Sequence, residues 1–337
     1  MRFLKSIVFI LISLLLITCD SDRLDVNVSD IDVSISFDRF DKELEAANQS
    51  NMATEVERLH GKYGLFFEEY VNSVINTGGP NPEVVASNLI GFLEDANIRE
   101  LHHRTFDEFT ETKEIEEELE IAFKYYNYHF PKKVVPKIVT FISGFNYAII
   151  AMDSTLGLGL DMYLGANCEY YPALGIPKYK SNIMTKDHLV VDALKGWSMS
   201  EFSNESKEKD LLSEMIYEGK IMYLMDAFYP AKSDTIKIGF SSEQLLWCDH
   251  DEFNLWSHLV QNKLLFSKNQ SDIVQFTGEG PFTRGFDKVS PARTGVWLGW
   301  QIIRSYMNKH PEVSLAKLME GNDAQAILRD SGYNPKL

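Results

Sequence analysis

The sequence has few cysteines, no cluster of basic residues and only one long apolar run. Three cysteines occur in 337 residues, and the formal net charge is −16. An acidic chain without Lys/Arg clusters is a poor partner for nucleic acid and for anionic lipid surfaces. Beyond the N-terminal run, no stretch reaches the roughly 18 apolar residues of a membrane-spanning helix. We therefore predict one soluble body, and the 45% of hydrophobic residues suffices for a sizeable core.

The sequence also lacks the short motifs of the common catalytic sites. It contains no His-Glu-x-x-His helix of zinc peptidases, no Gly-x-Ser-x-Gly nucleophile elbow and no Gly-x-x-x-x-Gly-Lys phosphate loop. Gly157 and Gly159 stand one residue apart, but this spacing also fits a tight strand. The absence of these motifs argues against an enzyme and indicates no cofactor.

Three side chains remain as weak candidates for metal ligands. His188 and Asp192 are four residues apart and would share one helix face, and Glu218 lies on a later predicted helix. In the competing interpretation His188 and Asp192 are surface polar residues near the start of a helix. Carboxylates at helical spacing also arise by chance in a chain with 49 acidic residues. We favour the competing interpretation and predict no metal site.

The N-terminus has the three parts of a bacterial lipoprotein signal peptide. A short basic stretch precedes an apolar run at residues 7–17, and Thr18 and Cys19 follow. A run of about 11 residues is too short to span a membrane and suits a signal-peptide core. We predict that residues 1–18 are removed and that two or more acyl chains on Cys19 anchor the protein. The alternatives are a buried N-terminal helix and an uncleaved anchor, and Thr18 is larger than the residue usual at that position.

A lipidated Cys19 would place the body in the cell envelope, anchored to a membrane and facing the periplasm. The inner and the outer membrane both remain open. In this oxidising compartment the remaining pair, Cys168 and Cys248, permits one disulfide. The alternative is that both are buried thiols that pack as small apolar side chains.

The pattern of apolar residues divides the rest of the chain into three segments. Residues 19–33 are polar and are interpreted as a tether, 34–130 have helical periodicity, and 131–337 combine strands with helices in one compact unit with the helical region. The predicted fold class is α+β, mostly helical, with a small β-sheet packed with helices. The predicted strands are residues 35–40, 134–142, 147–152 and 156–164; the clearest predicted helices are 111–128, 186–202, 210–228, one capped by Ser241, 251–266, one begun by Ser290 and Pro291, 314–319 and 323–328.

Short motifs from residue 140 onward resemble those of a known family. They are TFISGFNY at 140–147, DST at 153–155, GLGLD at 157–161, YLG at 163–165, DALKGW at 192–197, MIYEGK at 215–220, DAFYP at 226–230, GPFT at 280–283 and SPARTGVWLGWQ at 290–301. Their order and spacing resemble the gliding-motility lipoprotein family of Bacteroidetes, of the GldB type. The resemblance implies an envelope lipoprotein required for gliding, acting as a non-catalytic binding or scaffold component linked to the gliding and type IX secretion machinery.

That family is in turn similar to zinc peptidases of the gluzincin kind. In those enzymes an edge strand precedes the zinc-binding helix, and a later Glu followed by Gly supplies a third ligand. The resemblance places the zinc helix at residues 192–196, where Ala193 replaces the general base and Gly196 replaces a ligand. It therefore implies a degenerate zincin-like metallopeptidase scaffold, that is, a pseudoenzyme, and the alternative is an unrelated helical fold with one small sheet.

The same resemblance implies a role for Glu218 as a relic ligand, paired with Arg284 or Arg293. The alternative function is an active, metal-dependent, peptidase-like hydrolase with a non-standard site made of His188, Asp192 and Glu218. An active site would require His188, Asp192 and Glu218 to converge on one metal ion, whereas a relic Glu218 would pair with an arginine.

Overall fold

The computed structural model describes residues 23, 24 and 26–336, so the predicted signal peptide and Cys19 lie outside the described residues. The structure is mostly helical and contains one small sheet, as the α+β prediction requires. The helices are α1 (Phe40–Glu45), α2 (Met52–Tyr63), α3 (Leu65–Glu69), α4 (Pro82–Glu94), α5 (Ala96–Glu108), α6 (Lys113–His129), α7 (Tyr170–Ala173), α8 (Lys178–Ser181), α9 (Lys186–Glu201), α10 (Leu211–Phe228), α11 (Asp234–Ile238), α12 (Ser242–Gln261), α13 (Gln270–Thr277), α14 (Thr294–Lys309), α15 (Leu315–Glu320) and α16 (Ala324–Ser331). A search of the described residues finds no helix with the length and apolarity that a membrane crossing requires.

Four strands form a mixed sheet in the order β1-β2-β4-β3. The strands are β1 (Phe37–Arg39), β2 (Lys137–Phe141), β3 (Ile149–Met152) and β4 (Thr155–Gly159). β1, β2 and β4 run parallel, with Ile138 opposite Leu156, whereas β3 runs antiparallel to β4, with Ile150 opposite Gly157. β1, β2 and β3 fall within predicted strands, β4 begins one residue before its predicted start, and β3 is left at one edge of the sheet.

The sheet separates two apolar cores, because side chains along a strand alternate between its faces. Val139 and Phe141 of β2 face the aromatic core of α1–α4, whereas Leu156 and Leu158 of β4 face the larger core around α6, α9, α10 and α14. Gly157 lies on the aromatic side, where an added Cβ would come within 2.9 Å of the Phe66 ring. Close ring packing therefore accounts for this glycine, as the tight-strand interpretation expected.

The predicted strand 156–164 is wrong in its second half, where residues 160–163 form a 3₁₀ turn. The buried carboxylate of Asp161 accepts hydrogen bonds from the Ser143 amide (3.0 Å) and the Phe145 amide (2.6 Å). Burial raises the pKa of Asp161, and these hydrogen bonds oppose the rise. The turn ends β4 because Asp161 must point inward to hold the loop between β2 and β3.

Helices α10 and α14 cross in direct backbone contact. An added Cβ at Gly219 would lie 2.3 Å from the Gly299 carbonyl oxygen, and one at Gly299 would lie 1.8 Å from the Met215 carbonyl oxygen. Neither position has room for a side chain. The crossing buries Trp297 and Trp300 beside it and fixes how Glu218 on α10 stands relative to the start of α14.

A buried ionic network joins the C-terminal half of α10 to α11 and α14. Asp226 accepts hydrogen bonds from Trp300 Nε1 (2.8 Å), Arg304 Nε (2.8 Å) and Lys237 Nζ (3.0 Å). Asp234 completes the network through a second bond with Arg304, at 2.8 Å. The paired charges and the indole satisfy the Asp226 carboxylate, which would otherwise be costly to bury.

Two helix boundaries differ from the prediction. Ser290 is not an N-cap, because its hydroxyl donates to the Asp287 carbonyl (2.6 Å), and α14 begins after Arg293, whose φ is +57°. The predicted helix 251–266 is not separate, because α12 runs without a break from a capping box formed by Ser241 and Gln244.

The two cysteines within the body are both buried and both free. The disulfide that the sequence permits between Cys168 and Cys248 is therefore not formed in the structure. Both thiols pack within the larger apolar core, and burial raises the pKa of each. Their packing is that of the alternative, two small apolar side chains.

The described residues of the segment predicted as a tether contact the body. Arg23 hydrogen-bonds to three backbone carbonyls beyond residue 306, and Leu24 and Val28 are 7% and 9% exposed. The polar composition of residues 19–33 concealed these two buried apolar side chains. The described part of this segment therefore packs against the folded body.

Candidate functional site

A line of accessible residues runs along one face of helix α9. It consists of His188, Asp192, Lys195, Gly196 and Met199, and we call it the α9 stripe. Each of them lies three or four positions from another member, which places them on one helix face. The opposite face is buried in the larger core through Leu189, Val190, Val191, Ala193, Leu194 and Trp197. The two candidate ligands on α9, His188 and Asp192, are therefore one turn apart on the accessible face, as predicted.

Gly196 brings the α9 stripe against β3. An added Cβ at Gly196 would lie 2.6 Å from Ile149 Cγ2. The helix can approach the edge strand this closely only because residue 196 has no side chain. The packing of α9 on β3 is thus a sufficient physical reason for glycine at this position.

The edge of β3 next to the stripe carries unpaired backbone groups. The Gly159 amide donates to the Ala148 carbonyl at 2.8 Å, so alternate residues of β3 point their backbone groups toward β4. The remaining residues, Ile149 and Ala151, point theirs away from the sheet. Within the described residues, no backbone or side-chain group hydrogen-bonds to this outer edge.

Lys195 in the α9 stripe and Glu218 near it have no hydrogen-bond partner among the described residues. The Lys195 side chain is 16% exposed, and its ammonium lies 4.0 Å from Asp192 Oδ1, beyond hydrogen-bond distance. Asp192 itself accepts a hydrogen bond from the Tyr163 hydroxyl at 3.1 Å. Glu218, on α10, makes no hydrogen bond or ion pair to any other described residue. Both Lys195 and Glu218 can therefore form a hydrogen bond with a polar group of another molecule.

The surroundings favour the uncharged form of both groups, because they lower the pKa of Lys195 and raise the pKa of Glu218. Burial lowers the pKa of Lys195 to about 8, and the Asp192 carboxylate partly opposes this shift. Burial also raises the pKa of Glu218, helped by Glu214 and opposed by Arg293 and Lys195. The mutual influence shows that residues from α9, α10 and the start of α14 share one electrostatic environment.

Arg293 does not form the predicted ion pair with Glu218. Its Nε lies 3.4 Å from Glu279 Oε1, and its guanidinium also donates to the Ile238 carbonyl. Arg284 is exposed and forms no ion pair among the described residues. The predicted pairing of Glu218 with Arg284 or Arg293 is therefore wrong, because Glu279 and a backbone carbonyl occupy the Arg293 guanidinium.

The candidate ligands do not converge on one point. Among residues 23, 24 and 26–336, no three His, Cys, Asp or Glu side chains are placed to hold a metal ion together. His188 Nδ1 lies 2.8 Å from the Thr185 hydroxyl, and burial lowers its pKa. His188, Asp192 and Glu218 thus share a region without forming a three-ligand set.

Sequence reasoning missed two parts of this site. From the sequence, Lys195 has no predicted role beyond its place in the DALKGW motif at 192–197, and an open edge of β3 is not predicted. The signal for the stripe was present, since His188, Asp192 and Lys195 interrupt an apolar helix at spacings of four and three residues. The unpaired state of β3 depends on strand order, which the sequence pattern does not give.

Comparisons with known proteins agree with the motif resemblance. The family model of gliding motility protein GldB, which is designated a lipoprotein family, matches residues 21–335. No curated protein and no solved structure matches the chain. The match spans nearly the whole body, including the α9 stripe, β3 and Glu218. The chain belongs to the family of gliding motility protein GldB, which implies involvement in gliding motility.

Proposed function

We propose that this chain is a lipid-anchored envelope protein that acts in gliding as a non-catalytic binding component. The lipid would be attached at Cys19, and the body would face the periplasm. The partner would be a protein of the gliding or type IX secretion machinery. The family assignment and its lipoprotein designation support the anchor and the process, and the geometry of the α9 stripe supports binding.

The observation that carries the binding role is that Lys195 and Glu218, which influence each other's pKa, have no hydrogen-bond partner among the described residues, and that the helix carrying Lys195 packs through Gly196 against the edge strand β3. The charged atoms of Lys195 and Glu218 are not among the fully buried unpaired atoms of the described residues, so both reach water and can exchange it for the polar groups of a partner. An open strand edge is also a template for pairing with another chain. An extended partner segment could pair with the backbone of Ile149 and Ala151 and place polar groups against Lys195 and Glu218.

The same geometry supports a role without catalysis. Activation of a nucleophile by a neighbouring general base needs the two groups within about 3.2 Å of each other. Lys195 and Glu218 are not joined by a hydrogen bond, and Asp192 is engaged by Tyr163. At the positions that resemble a zinc helix, Ala193 is buried and Gly196 packs against Ile149. We infer that the site binds a ligand without reacting with it.

The relationship to zinc peptidases is part of this proposal. An antiparallel edge strand lies beside the helix that holds residues 192–196, and the later Glu218 lies near that helix, which supports the resemblance. The glycine after Glu218 has its own explanation in the contact of α10 with α14. We infer a scaffold of that kind in which the cleft would hold a partner segment.

Site-specific photocrosslinking in intact cells tests the binding role. A photoreactive residue at Met199, which is 40% exposed at the end of the α9 stripe, should capture a gliding or secretion protein. The same residue at Leu246, 68% exposed on α12, is the matched control and should not capture that protein. Adding Glu218→Gln should weaken the Met199 crosslink. If neither position recovers a gliding or secretion component, or both recover the same one equally, the proposed site is wrong.

A further inference from the structure

Arg23 binds the end of helix α14. Its Nη1 donates to the carbonyls of Met307 (2.9 Å) and His310 (3.3 Å), and its Nη2 donates to the carbonyl of Val313 (2.5 Å). The last carbonyls of a helix have no partners within the helix, and a cation is favoured there by the helix dipole. Arg23 therefore supplies a cationic cap to α14.

The helix that Arg23 caps belongs to the most tightly packed part of the body. α14 crosses α10 in backbone contact at Gly299 and buries Ile302, Ile303 and Met307. Leu24, next to Arg23, is 7% exposed and borders a cavity of about 380 Å³ that Arg304 also lines. The N-terminal segment is thus fixed to the core at Arg23 and Leu24.

Only three residues separate Arg23 from the predicted lipid attachment site. Between Cys19 and Arg23 lie Asp20, Ser21 and Asp22. Four Cα–Cα steps span at most about 14 Å when fully extended. The 16 residues of α14 span about 24 Å, so the N-terminal end of the helix lies about 24 Å from the end that Arg23 binds.

We propose that Arg23 clamps the body to its own anchor, so that the C-terminal end of α14 faces the lipid headgroups. The occupant of this face is the membrane that holds the acyl chains. The clamp would hold the N-terminal end of α14, next to Arg293, farther from the lipid than the C-terminal end. The α9 stripe, which shares the electrostatic environment of Arg293, would then stay accessible to a partner. This inference rests on the lipid at Cys19, which is part of the proposed function.

Short-range quenching of a fluorophore by lipid headgroups tests the orientation. The full-length lipidated protein is placed in phosphatidylethanolamine vesicles that contain a nitroxide-labelled phosphatidylcholine. One variant is labelled at Lys309→Cys, at the clamped end of α14, and the other at Lys288→Cys, in the loop that leads into α14. Both lysines are exposed, whereas Cys168 and Cys248 are buried, so the introduced thiol takes the label.

We expect stronger quenching at residue 309 than at residue 288, and loss of this difference with Arg23→Gln. Arg329→Gln is the matched control, because Arg329 is 71% exposed and contacts only its neighbour Asp330 among the described residues. Insertion of a flexible Gly/Ser segment after Asp22 keeps the clamp and should lower quenching at both labels. This second variant keeps the inference testable if Arg23→Gln does not fold.

Two failures are distinguishable. If the protein does not enter vesicles at all, the lipid at Cys19 and the proposed anchoring fail. If it is anchored but both labels are quenched equally, or Arg23→Gln leaves the difference unchanged, the clamp alone is wrong.

Discussion

The crossing of α10 and α14 predicts that Gly299→Ala is strongly destabilising. The new Cβ would be 1.8 Å from the Met215 carbonyl oxygen, where ordinary van der Waals contact needs about twice that distance. Backbone atoms line the contact, so no side chain can rotate away. The two helices must separate, and the packing around Trp297 and Trp300 must loosen with them.

The expected loss follows from two opposing terms. Overpacking a core costs about 1–3 kcal/mol and more when backbone has to move. Alanine returns about 1 kcal/mol in a helix, because glycine is the poorer helix former. We expect a net loss of about 2 kcal/mol or more in the free energy of unfolding.

Urea unfolding of the mature chain, followed by tryptophan fluorescence and circular dichroism, measures this loss. The matched control is Gly91→Ala in α4, where an added Cβ meets nothing within 4 Å. This control should stabilise the chain by about 0.5–1 kcal/mol. If Gly299→Ala is as stable as the wild type or gains stability like Gly91→Ala, the helix crossing is not as tight as described.

Further predictions concern the buried charges, the thiols and metal. Asp226→Asn leaves Lys237 without its closest charged partner, and we expect a loss of about 3 kcal/mol in urea unfolding; an unchanged midpoint would contradict the network. Burial lowers the pKa of Lys195 to about 8, so below about pH 8 the folded chain carries the full cost of a buried charged ammonium. This cost disappears as pH rises from 8 toward the higher pKa that Lys195 has in the unfolded chain. Lys195→Met should therefore be more stable than wild type at pH 7, with a difference that shrinks from pH 8 to 10; a constant difference would refute the shift. Cys168 and Cys248 should resist a thiol reagent until the chain unfolds and then both react, whereas a disulfide in the native chain would contradict the structure. Elemental analysis of the purified chain should find no stoichiometric zinc or other transition metal, and a bound equivalent would restore the hydrolase alternative.

Local patterns predicted the elements of the fold well. The apolar periodicity of α6, α9 and α10 and the Val/Ile-rich segments gave helices and strands of the correct type, and Ser314 and Asp323 are N-caps. The failures arise where tertiary contacts override a local signal. Asp161 turns the chain inward after β4, and Arg293, held by Glu279 and Ile238, starts α14 in place of the Ser290 cap.

The site was less predictable than the fold, because its features are relations between distant segments. Sequence reasoning selected Asp192, Glu218 and residues 192–196 as one region, and the structure places them on neighbouring helices α9 and α10. It also assigned Gly196 and Gly219 to a degraded metal motif, although both glycines are required by close packing against Ile149 and Gly299. Only the three-dimensional contacts separate these two explanations.

The most direct test of the central claim is the gliding of cells whose only copy of this protein carries Lys195→Met and Glu218→Gln. Membrane fractionation must show that the variant is present and anchored at the wild-type level. The binding account predicts that gliding fails and that the crosslink from Met199 is lost in the same cells. Normal gliding with an unchanged crosslink would contradict the assignment of partner binding to the α9 stripe.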